Sequence, residues 1–178
     1  MLAPSQDQAG TRASGLRADP PLTAALVVAV VGALTIAGAW FFELVIGLRP
    51  CPMCLEQRWP YYIGIPLALL VAFAASRKAP RMVVVGGLAI LAALMLWGVY
   101  MGVFHAGVEW KFWLGPQECS GAPQLGPAGG LLNRLQTINI VRCDEAAWRF
   151  LGISLAGYNA LISLALAAIA AWGAKAAR

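Results

Sequence analysis

Four long apolar runs dominate the sequence, and short segments rich in charged residues, proline and glycine separate them. The runs cover about residues 22–47, 59–75, 82–104 and 148–172. Each is close to the roughly 20 residues that an α-helix needs to cross a bilayer, so each predicts a transmembrane helix. The first run is longer than the 7–15 or so apolar residues of a signal-peptide core, and we expect it to remain as a span. The pattern predicts an all-α membrane protein built as a four-helix bundle.

The segments around these runs indicate how the chain is organised. Residues 21–174 are expected to form one membrane domain, with outer loops at 48–58 and 105–147. Residues 1–20 are rich in alanine, glycine and proline and show no apolar period, which predicts a disordered cytoplasmic tail. Residues 175–178 form a second short tail on the same side.

The basic residues are distributed unevenly between the two ends of the predicted spans. The residues on the more basic side are Arg12, Arg17, Arg77, Lys78, Arg81, Lys175 and Arg178. Loops enriched in Lys and Arg usually face the cytoplasm, so this side is expected to be cytoplasmic and both termini with it. A net charge of +5 from scattered bases argues against nucleic-acid binding, and 60% apolar residues exclude an ordinary soluble protein.

All four cysteines fall on the opposite side, Cys51 and Cys54 in the first outer loop and Cys119 and Cys143 in the second. An extracytoplasmic compartment is oxidising, so disulfides persist there. A C-x-x-C pair is often half of a zinc site, but Cys119 and Cys143 lack the spacing of a second half. We therefore expect no metal, and we favour two redox-active cysteine pairs over two structural disulfides.

The C-x-x-C motif in the first outer loop carries the strongest candidate chemistry. At the start of a helix, free backbone N–H groups and the helix dipole favour a thiolate, the attacking species in thiol–disulfide exchange. If the second span begins at this motif, Cys51, Cys54 and Arg58 share one helix face. A charged arginine beside hydrocarbon is costly, which marks Arg58 as a functional candidate. Glu56 and Gln57 are weaker candidates.

A cysteine pair at the membrane surface is placed to pass electrons to a lipid-soluble acceptor, and a quinone suits that role. Its ring carbonyls gain negative charge on reduction, and a neighbouring guanidinium stabilises that charge. Arg58 is expected to provide it, with snorkelling to lipid headgroups as the alternative. His105, the single histidine, is a candidate to bind a quinone carbonyl or supply a proton, although a lone histidine there is more often structural. Glu43 is interpreted as a carboxylate at the water interface rather than a functional acid.

The long second outer loop contains the other cysteine pair. A Cys119–Cys143 bridge closes a longer loop than a Cys51–Cys54 bridge. In the chain-entropy model, a disulfide that closes a longer loop stabilises the folded protein more. The short ring would then be the stronger oxidant, so electrons entering at the second pair would run to the first. Apolar positions in 131–141 recur at helical spacing, which predicts a short amphipathic helix, either flat on the membrane or packed on the loop.

Several motifs together resemble the DsbB family, the disulfide bond formation proteins of the bacterial inner membrane. The similar stretches are C-P-M-C-L-E-Q-R-W-P-Y-Y at 51–62, W-L-G-P-Q-E-C-S-G at 113–121, C-D-E-A-A-W at 143–148 and L-G-I-S-L-A-G-Y-N at 151–159. With four predicted spans in the same order, the resemblance covers nearly all of residues 22–172.

The resemblance implies a four-helix membrane enzyme that reoxidises a periplasmic, thioredoxin-fold thiol oxidase of the DsbA type and passes the electrons to ubiquinone or menaquinone. By position, the first cysteine pair would face the quinone and the second would exchange with the partner, Cys119 forming the mixed disulfide. Arg58 takes the position of the quinone-site arginine, whereas His105 only approximately matches a histidine before the second loop. The 131–141 stretch is similar to a loop helix that lies on the membrane.

Three alternatives stay open on the sequence alone. The first is a relative dedicated to one periplasmic client, and the second is a quinone reductase resembling vitamin K epoxide reductase, whose motif order fits less well. The third, from a different class, is a structural membrane adaptor whose two disulfides brace a loop. Thiol-dependent reduction of a quinone separates the redox enzymes from the adaptor.

Overall fold

The computed structural model describes residues 19–116 and 142–177, and every structural statement here refers to these residues. Their helices are α1 (Pro20–Leu44), α2 (Pro52–Glu56), α3 (Trp59–Ser76), α4 (Arg81–Glu109) and α5 (Leu155–Ala176), and their strands are β1 (Arg149–Phe150) and β2 (Ile153–Ser154). Four segments are long and apolar enough to cross a membrane: α1, α2 with α3, α4, and α5. The predicted four-helix membrane architecture is confirmed.

Small residues let the long helices approach closely. A Cβ atom built on Gly102 of α4 would lie 2.9 Å from the backbone nitrogen of Ala160 in α5, and one on Gly98 would lie 2.8 Å from Ser163 Oγ. Helices in lipid associate largely through such packing, because lipid tails are as apolar as the side chains. The close contact between α4 and α5 sets the spacing at the end of the bundle that carries the cysteines.

Large apolar side chains cover the outside of the bundle. Leu34, Leu70 and Trp97 are each more than half exposed, at 65%, 66% and 57%. Leu88, Leu91 and Met95 of α4 instead fill the interior and are almost completely buried. An apolar exterior of this kind is what a membrane-embedded bundle requires, since the hydrocarbon takes the place of water.

The C-x-x-C motif lies on a short helix of its own, just before α3. The helix α2 ends at Glu56, Gln57 and Arg58 form a turn, and α3 begins at Trp59. Pro60 stands in the first turn of α3, where its missing N–H leaves no intrahelical hydrogen bond unmade. Arg58 is the N-cap residue of α3.

A small β-ribbon precedes α5, and hydropathy alone did not indicate it. Strands β1 and β2 pair antiparallel through a two-residue turn at Leu151 and Gly152, whose φ angles are +49° and +82°. Positive φ at both positions is the type I′ geometry that suits a tight hairpin, and glycine adopts it readily. Ser154 then caps α5 by accepting a hydrogen bond from Gly157 N at 3.2 Å. The fourth apolar run becomes helical only at Leu155.

Some predictions fall outside the described residues. These are Cys119, the amphipathic helix at 131–141, and all of the 1–20 tail except its last two residues. They stay predictions.

Candidate functional site

Cys51 and Cys54 are free thiols brought together by the first turn of α2. Cys51 is the N-cap residue, and its sulfur accepts a hydrogen bond from the backbone N–H of Cys54 at 3.3 Å. The two sulfurs lie 2.9 Å apart and share a second hydrogen bond. Because the sulfurs are already adjacent, the pair is placed to form and break a disulfide with little backbone movement.

The surroundings of Cys51 favour its ionised form. A hydrogen bond from the Cys54 thiol is the largest effect, and it lowers the pKa of Cys51 to about 5 against the opposing effect of burial. His105 acts in the same direction through a hydrogen bond and, when its ring is protonated, through its charge. The thiolate is the nucleophile in disulfide exchange, so Cys51 is the activated sulfur of the pair.

Cys143 lies beside this pair, although it belongs to the second outer loop. It is completely buried and disulfide-bonded, and its predicted partner Cys119 is outside the described residues. The sulfurs of Cys51 and Cys143 and one ring nitrogen of His105 all lie within 4.8 Å of one another. Such a trio has metal-binding donors, but a sulfur held in a disulfide is not the thiolate that binds metals. Its proximity to Cys51 suits disulfide exchange.

Charged side chains hold the segment around Cys143 against the end of α4. Asp144 is hydrogen-bonded to Arg142 at 2.7 and 2.9 Å and to Lys111. These two cations, Arg142 first, hold the pKa of the Asp144 carboxyl well below its usual range. The cluster is at the surface and screened by water, so its main effect is to tie the chain before residue 117 to the chain after 141.

His105 is buried between the sulfurs and an acidic side chain, with only 2% of its surface exposed. Its Nε2 lies 3.7 Å from Cys51 Sγ and 3.8 Å from Glu109 Oε1. Its Nδ1 lies 2.6 Å from Gln57 Nε2. The other carboxylate oxygen of Glu109 is buried without a hydrogen-bond partner among the described residues. Both ring nitrogens therefore face protein side chains, and the one near Cys51 is placed to act on it.

A chain of hydrogen bonds continues from Gln57 into the bundle. Asn159 Nδ2 donates to Gln57 Oε1 at 2.7 Å, and Tyr61 OH donates to Asn159 Oδ1 at 2.7 Å. Tyr61 OH also shares a hydrogen bond with Ser163 Oγ at 2.8 Å. These residues come from α3, α5 and the turn before α3, so the hydrogen bonds link three elements around His105.

Arg58 forms an ion pair with Glu43 at the end of α1. Arg58 Nη1 lies 2.7 Å from Glu43 Oε2, and the arginine side chain is only 11% exposed. The contact lacks the alignment of a hydrogen bond, because the same carboxylate oxygen has no hydrogen-bond partner among the described residues. Glu43 was interpreted from the sequence as an interfacial carboxylate, and the structure gives it this specific cationic neighbour.

A cavity of about 650 Å³ lies next to these groups and runs between α1 and α5. Its polar end is formed by Cys54, Arg58 and Glu43, and its other end by apolar side chains that include Val31 and Ile162. From Glu43 to Val31 the cavity follows α1 for about 18 Å, given a rise of about 1.5 Å per residue. A cavity with one polar and one long apolar end suits an amphiphilic molecule with a compact polar head.

The structure brings together the predicted residues Cys51, Cys54, Cys143, Arg58 and His105. Sequence reasoning had not selected three further members of the site, Glu109, Asn159 and Tyr61. A signal existed for Asn159, because an amide within an apolar run is costly in lipid and usually has a buried partner. Glu109 follows His105 by one helical turn, which puts both on one face of α4.

Comparisons with known proteins agree on one family. The chain matches the family model described as Disulfide bond formation protein DsbB over residues 21–173. Disulfide bond formation protein B of Marinobacter nauticus is 31% identical over 144 residues, which cover 76% of this chain and 80% of that protein. The protein of the same name from Verminephrobacter eiseniae is 33% identical over 147 residues, 78% of this chain and 79% of its own. No solved structure matches the chain.

The family match spans all four long helices and both described cysteine segments. It confirms the resemblance drawn from the motifs, and with it a disulfide-forming oxidoreductase that crosses the membrane several times. On this basis the chain belongs to the DsbB family of disulfide bond formation proteins.

Proposed function

We propose that this protein oxidises the dithiol of a periplasmic, thioredoxin-fold thiol oxidase of the DsbA type and passes the electrons through its two cysteine pairs to a membrane quinone, either ubiquinone or menaquinone. The observation that carries the proposal is the position of Cys51 and Cys54. They lie between the buried sulfur of Cys143 and a cavity that runs into the membrane domain. A sulfur pair in this position connects a thiol donor outside the membrane with an acceptor inside it.

The proposed electron route is a series of thiol–disulfide exchanges. A thiolate of the partner attacks Cys119, the Cys119–Cys143 disulfide breaks, and Cys143 leaves with the electron pair. The Cys143 thiolate attacks Cys51 in the Cys51–Cys54 disulfide, so a Cys51–Cys143 disulfide forms and Cys54 leaves as a thiolate. The short distance between Cys51 and Cys143 supports this step, because the attacking sulfur must reach the sulfur it attacks.

The cycle closes when the partner leaves oxidised. The second thiolate of the partner breaks the mixed disulfide and releases Cys119, which attacks Cys143 and restores the Cys119–Cys143 bridge. Cys51 is then the leaving group, and both members of the first pair are reduced. Two electrons from the partner have reached this pair, and a quinone bound beside Cys54 would accept them together with two protons from the medium.

The polar end of the cavity fits a quinone head group. Arg58 would hold the head through its guanidinium, which stabilises negative charge on an oxygen. Glu43 would keep the arginine directed toward the cavity through their ion pair. The apolar end, lined by Val31, Leu34 and Ile162, suits the isoprenoid tail. His105 lines the same cavity, and we propose that it acts on Cys51 rather than on the head group.

The orientation in the bacterial inner membrane follows from the same arrangement. Arg77 and Lys78 connect α3 to α4 at one end of the bundle, and the cysteines lie at the other end. Gly173 near the end of α5 packs against Ala24 near the start of α1, so both of these ends lie on the basic side. We propose that this side is cytoplasmic, with both termini, and that the cysteine side is periplasmic.

A turnover assay tests the proposal. Full-length protein in lipid nanodiscs is mixed with a reduced DsbA-type protein and a short-chain ubiquinone or menaquinone, and quinone reduction is followed by absorbance. Steady turnover is expected, with loss of activity in Cys51→Ala. An adaptor with structural disulfides would show no thiol-dependent quinone reduction, and that result would overturn the proposal.

A further inference from the structure

A buried row of polar side chains approaches His105 from the side opposite the cysteines. We propose that Gln57, oriented by Asn159 and Tyr61, is a positioning residue that keeps His105 in the tautomer with its proton on Nε2, so that this N–H faces Cys51. The inference builds on the proposed exchange chemistry, in which Cys51 leaves as a thiolate. It concerns side chains that provide no sulfur and form no bond in the exchange.

The orientation of the Gln57 amide is fixed by a backbone carbonyl. Gln57 Nε2 lies 3.3 Å from Met53 O, and a carbonyl oxygen only accepts hydrogen bonds. The group facing it must therefore be the NH₂ and not the oxygen. The same NH₂ lies 2.6 Å from His105 Nδ1. Because an amide NH₂ only donates, Nδ1 must be the unprotonated ring nitrogen.

Asn159 and Tyr61 reinforce this orientation. Gln57 Oε1 accepts from Asn159 Nδ2 at 2.7 Å, and Asn159 Oδ1 accepts from Tyr61 OH at 2.7 Å. Turning either amide over would bring two carbonyl oxygens or two NH₂ groups face to face. Gln57 and Tyr61 are almost fully buried. Bulk water therefore cannot supply hydrogen bonds to two facing carbonyl oxygens or two facing NH₂ groups. Every hydrogen bond in the row therefore points in one direction, toward His105.

The consequence appears at the other ring nitrogen. A neutral imidazole carries one N–H, so an accepting Nδ1 places the proton on Nε2. Nε2 lies 3.7 Å from Cys51 Sγ and 3.8 Å from Glu109 Oε1, and both of these are acceptors when ionised. The opposite tautomer would direct a lone pair at a thiolate and a carboxylate. When the bond from Cys51 to Cys143 breaks, Cys51 takes the electron pair and the Nε2–H donates a hydrogen bond to it, while the proton stays on the ring.

The charged and titratable groups around Cys51 come from several elements. Cys54 belongs to α2, His105 and Glu109 to α4, and Cys143 to the segment before β1, while Arg58 and Glu43 pair with each other on the cavity side. Among these, His105 alone changes between hydrogen-bond donor and acceptor by tautomerisation. A residue that fixes this tautomer therefore influences how readily Cys51 leaves as a thiolate.

Because the chain has a single histidine, the tautomer is directly measurable. Full-length reduced protein is labelled with ¹⁵N-histidine in nanodiscs and studied by NMR at increasing pH until the histidine signals stop changing, which marks the neutral ring. Nδ1 and Nε2 are assigned from their different couplings to the ring carbon-bound protons. The expected spectrum shows a protonated Nε2 and a bare Nδ1. A protonated Nδ1 in the wild-type protein would overturn the proposal without the need for any variant.

Two variants test whether Gln57 sets this tautomer. Gln57→Leu removes the donor to Nδ1 and is expected to give a mixture of tautomers. Gln57→Glu replaces the NH₂ with an acceptor and is expected to move the proton onto Nδ1. Ser163→Ala is the matched control, because it removes a buried hydroxyl at the far end of the row and leaves the contacts of Gln57 in place. An unchanged Nε2–H pattern in both Gln57 variants would show that Gln57 does not set the tautomer.

A second readout links the tautomer to the sulfur. The rate of Cys51 alkylation by iodoacetamide, measured at the same pH as the NMR spectrum and located by mass spectrometry, is expected to fall in Gln57→Leu and to stay unchanged in Ser163→Ala. Neither measurement uses a quinone or a partner protein. Failure of the turnover assay with the expected tautomer would count against the proposed function alone, and turnover with the wrong tautomer would count against this inference alone.

Discussion

The sulfur atoms of Cys51 and Cys143 lie within 4.8 Å of each other although they belong to different outer loops. Cys54, which shares a hydrogen bond with Cys51, lines the cavity between α1 and α5 together with Cys51 and Arg58. Cys51 therefore lies next to both Cys143 and the cavity. Cys51 is the natural exchange partner of Cys143, and its partner Cys54 also faces the proposed acceptor.

This arrangement predicts which cross-loop disulfide forms. In the double variant Cys54→Ser and Cys119→Ser, Cys51 and Cys143 are the remaining thiols, and diamide is expected to join them rapidly within one molecule. Mass spectrometry of non-reduced peptides measures the product. The matched variant Cys51→Ser and Cys119→Ser leaves Cys54 with Cys143 and is expected to cross-link more slowly. Equal rates in the two variants would contradict the assignment of Cys51 as the exchange sulfur.

The reactivity of reduced Cys51 is predicted to depend on pH with a midpoint near 5. The pKa of Cys51 is lowered to about 5, so the thiolate and its alkylation rate are retained down to that pH, where an ordinary thiol with a pKa of about 8.5 would be protonated. The free energy of unfolding depends on pH in the same direction. Because the folded state holds the proton less tightly, the contribution of the ionised thiol is fully present above the unfolded pKa and is lost as the pH falls through about 5.

Two variants rank the causes of the lowered pKa of Cys51. The variant Cys54→Ala removes the hydrogen bond that lowers the pKa of Cys51 most. It is expected to raise the midpoint more than His105→Leu does. The latter should raise it by about 1–2 pH units, since a hydrogen bond to a charged group contributes about 1.5–3 kcal/mol. Iodoacetamide rates at Cys51 across the pH range give both midpoints. A midpoint near 8.5 in the wild-type protein would show that the surroundings do not stabilise the thiolate.

Arg58 is predicted to act on quinone binding more than on the cysteines. Arg58→Gln removes the guanidinium and is expected to raise the KM for quinone by about tenfold or more, as loss of a charged hydrogen bond of about 1.5–3 kcal/mol implies. The cross-linking of Cys51 with Cys143 should be unaffected. Arg58→Lys keeps the charge but not the planar fork, so an intermediate KM is expected. An unchanged KM in Arg58→Gln would favour the snorkelling interpretation instead.

Glu43 is predicted to matter through Arg58. Glu43→Gln keeps the shape of the side chain and removes the charge that faces the guanidinium at 2.7 Å. The KM for quinone is expected to rise less than in Arg58→Gln, because the guanidinium remains but is oriented less firmly. The double variant separates the two roles: if Glu43 works through Arg58, adding Glu43→Gln to Arg58→Gln should change the KM little further. Additive effects would show that the carboxylate has a role of its own.

Hydropathy and motif spacing were sufficient to predict the four spans, because each must bury about 20 apolar residues in lipid. The cysteines and Arg58 were also identifiable from the sequence, since thiols and an arginine beside hydrocarbon are chemically conspicuous. The pairing of Arg58 with Glu43 was not predictable in this way. Periodicity shows which residues lie in a span but not which faces of different spans meet.

The same reasoning explains why the contacts among the polar residues around His105 were not predicted, although Gln57 was named as a weaker candidate. Gln57, Asn159 and Tyr61 lie in three elements, and their contacts depend on how closely the helices approach. That approach is set by glycine and alanine, which hydropathy treats as ordinary apolar residues. The ribbon before α5 was missed for a local reason, because the turn at Leu151 and Gly152 interrupts a run that still reads as apolar.

The glycine contact between α4 and α5 gives the last prediction. A Cβ on Gly102 would lie 2.9 Å from the backbone nitrogen of Ala160, so Gly102→Ala must push the helices apart. Overpacking of this kind costs about 1–3 kcal/mol. Ala160 adjoins Asn159 and Gly102 lies one turn before His105, so the separation should also weaken the hydrogen bonds through Gln57 and lower turnover.

Gly86→Ala is the matched control for this contact. Gly86 is in the same helix, but a Cβ there meets nothing within 4 Å, and alanine favours a helix over glycine by up to about 1 kcal/mol. Stability is measured by denaturation of the detergent-solubilised protein, followed by circular dichroism. Gly102→Ala should unfold earlier than wild type, and Gly86→Ala should unfold at the same point or later. If both variants behaved alike, the loss at Gly102 would reflect glycine content rather than the close contact of α4 with α5.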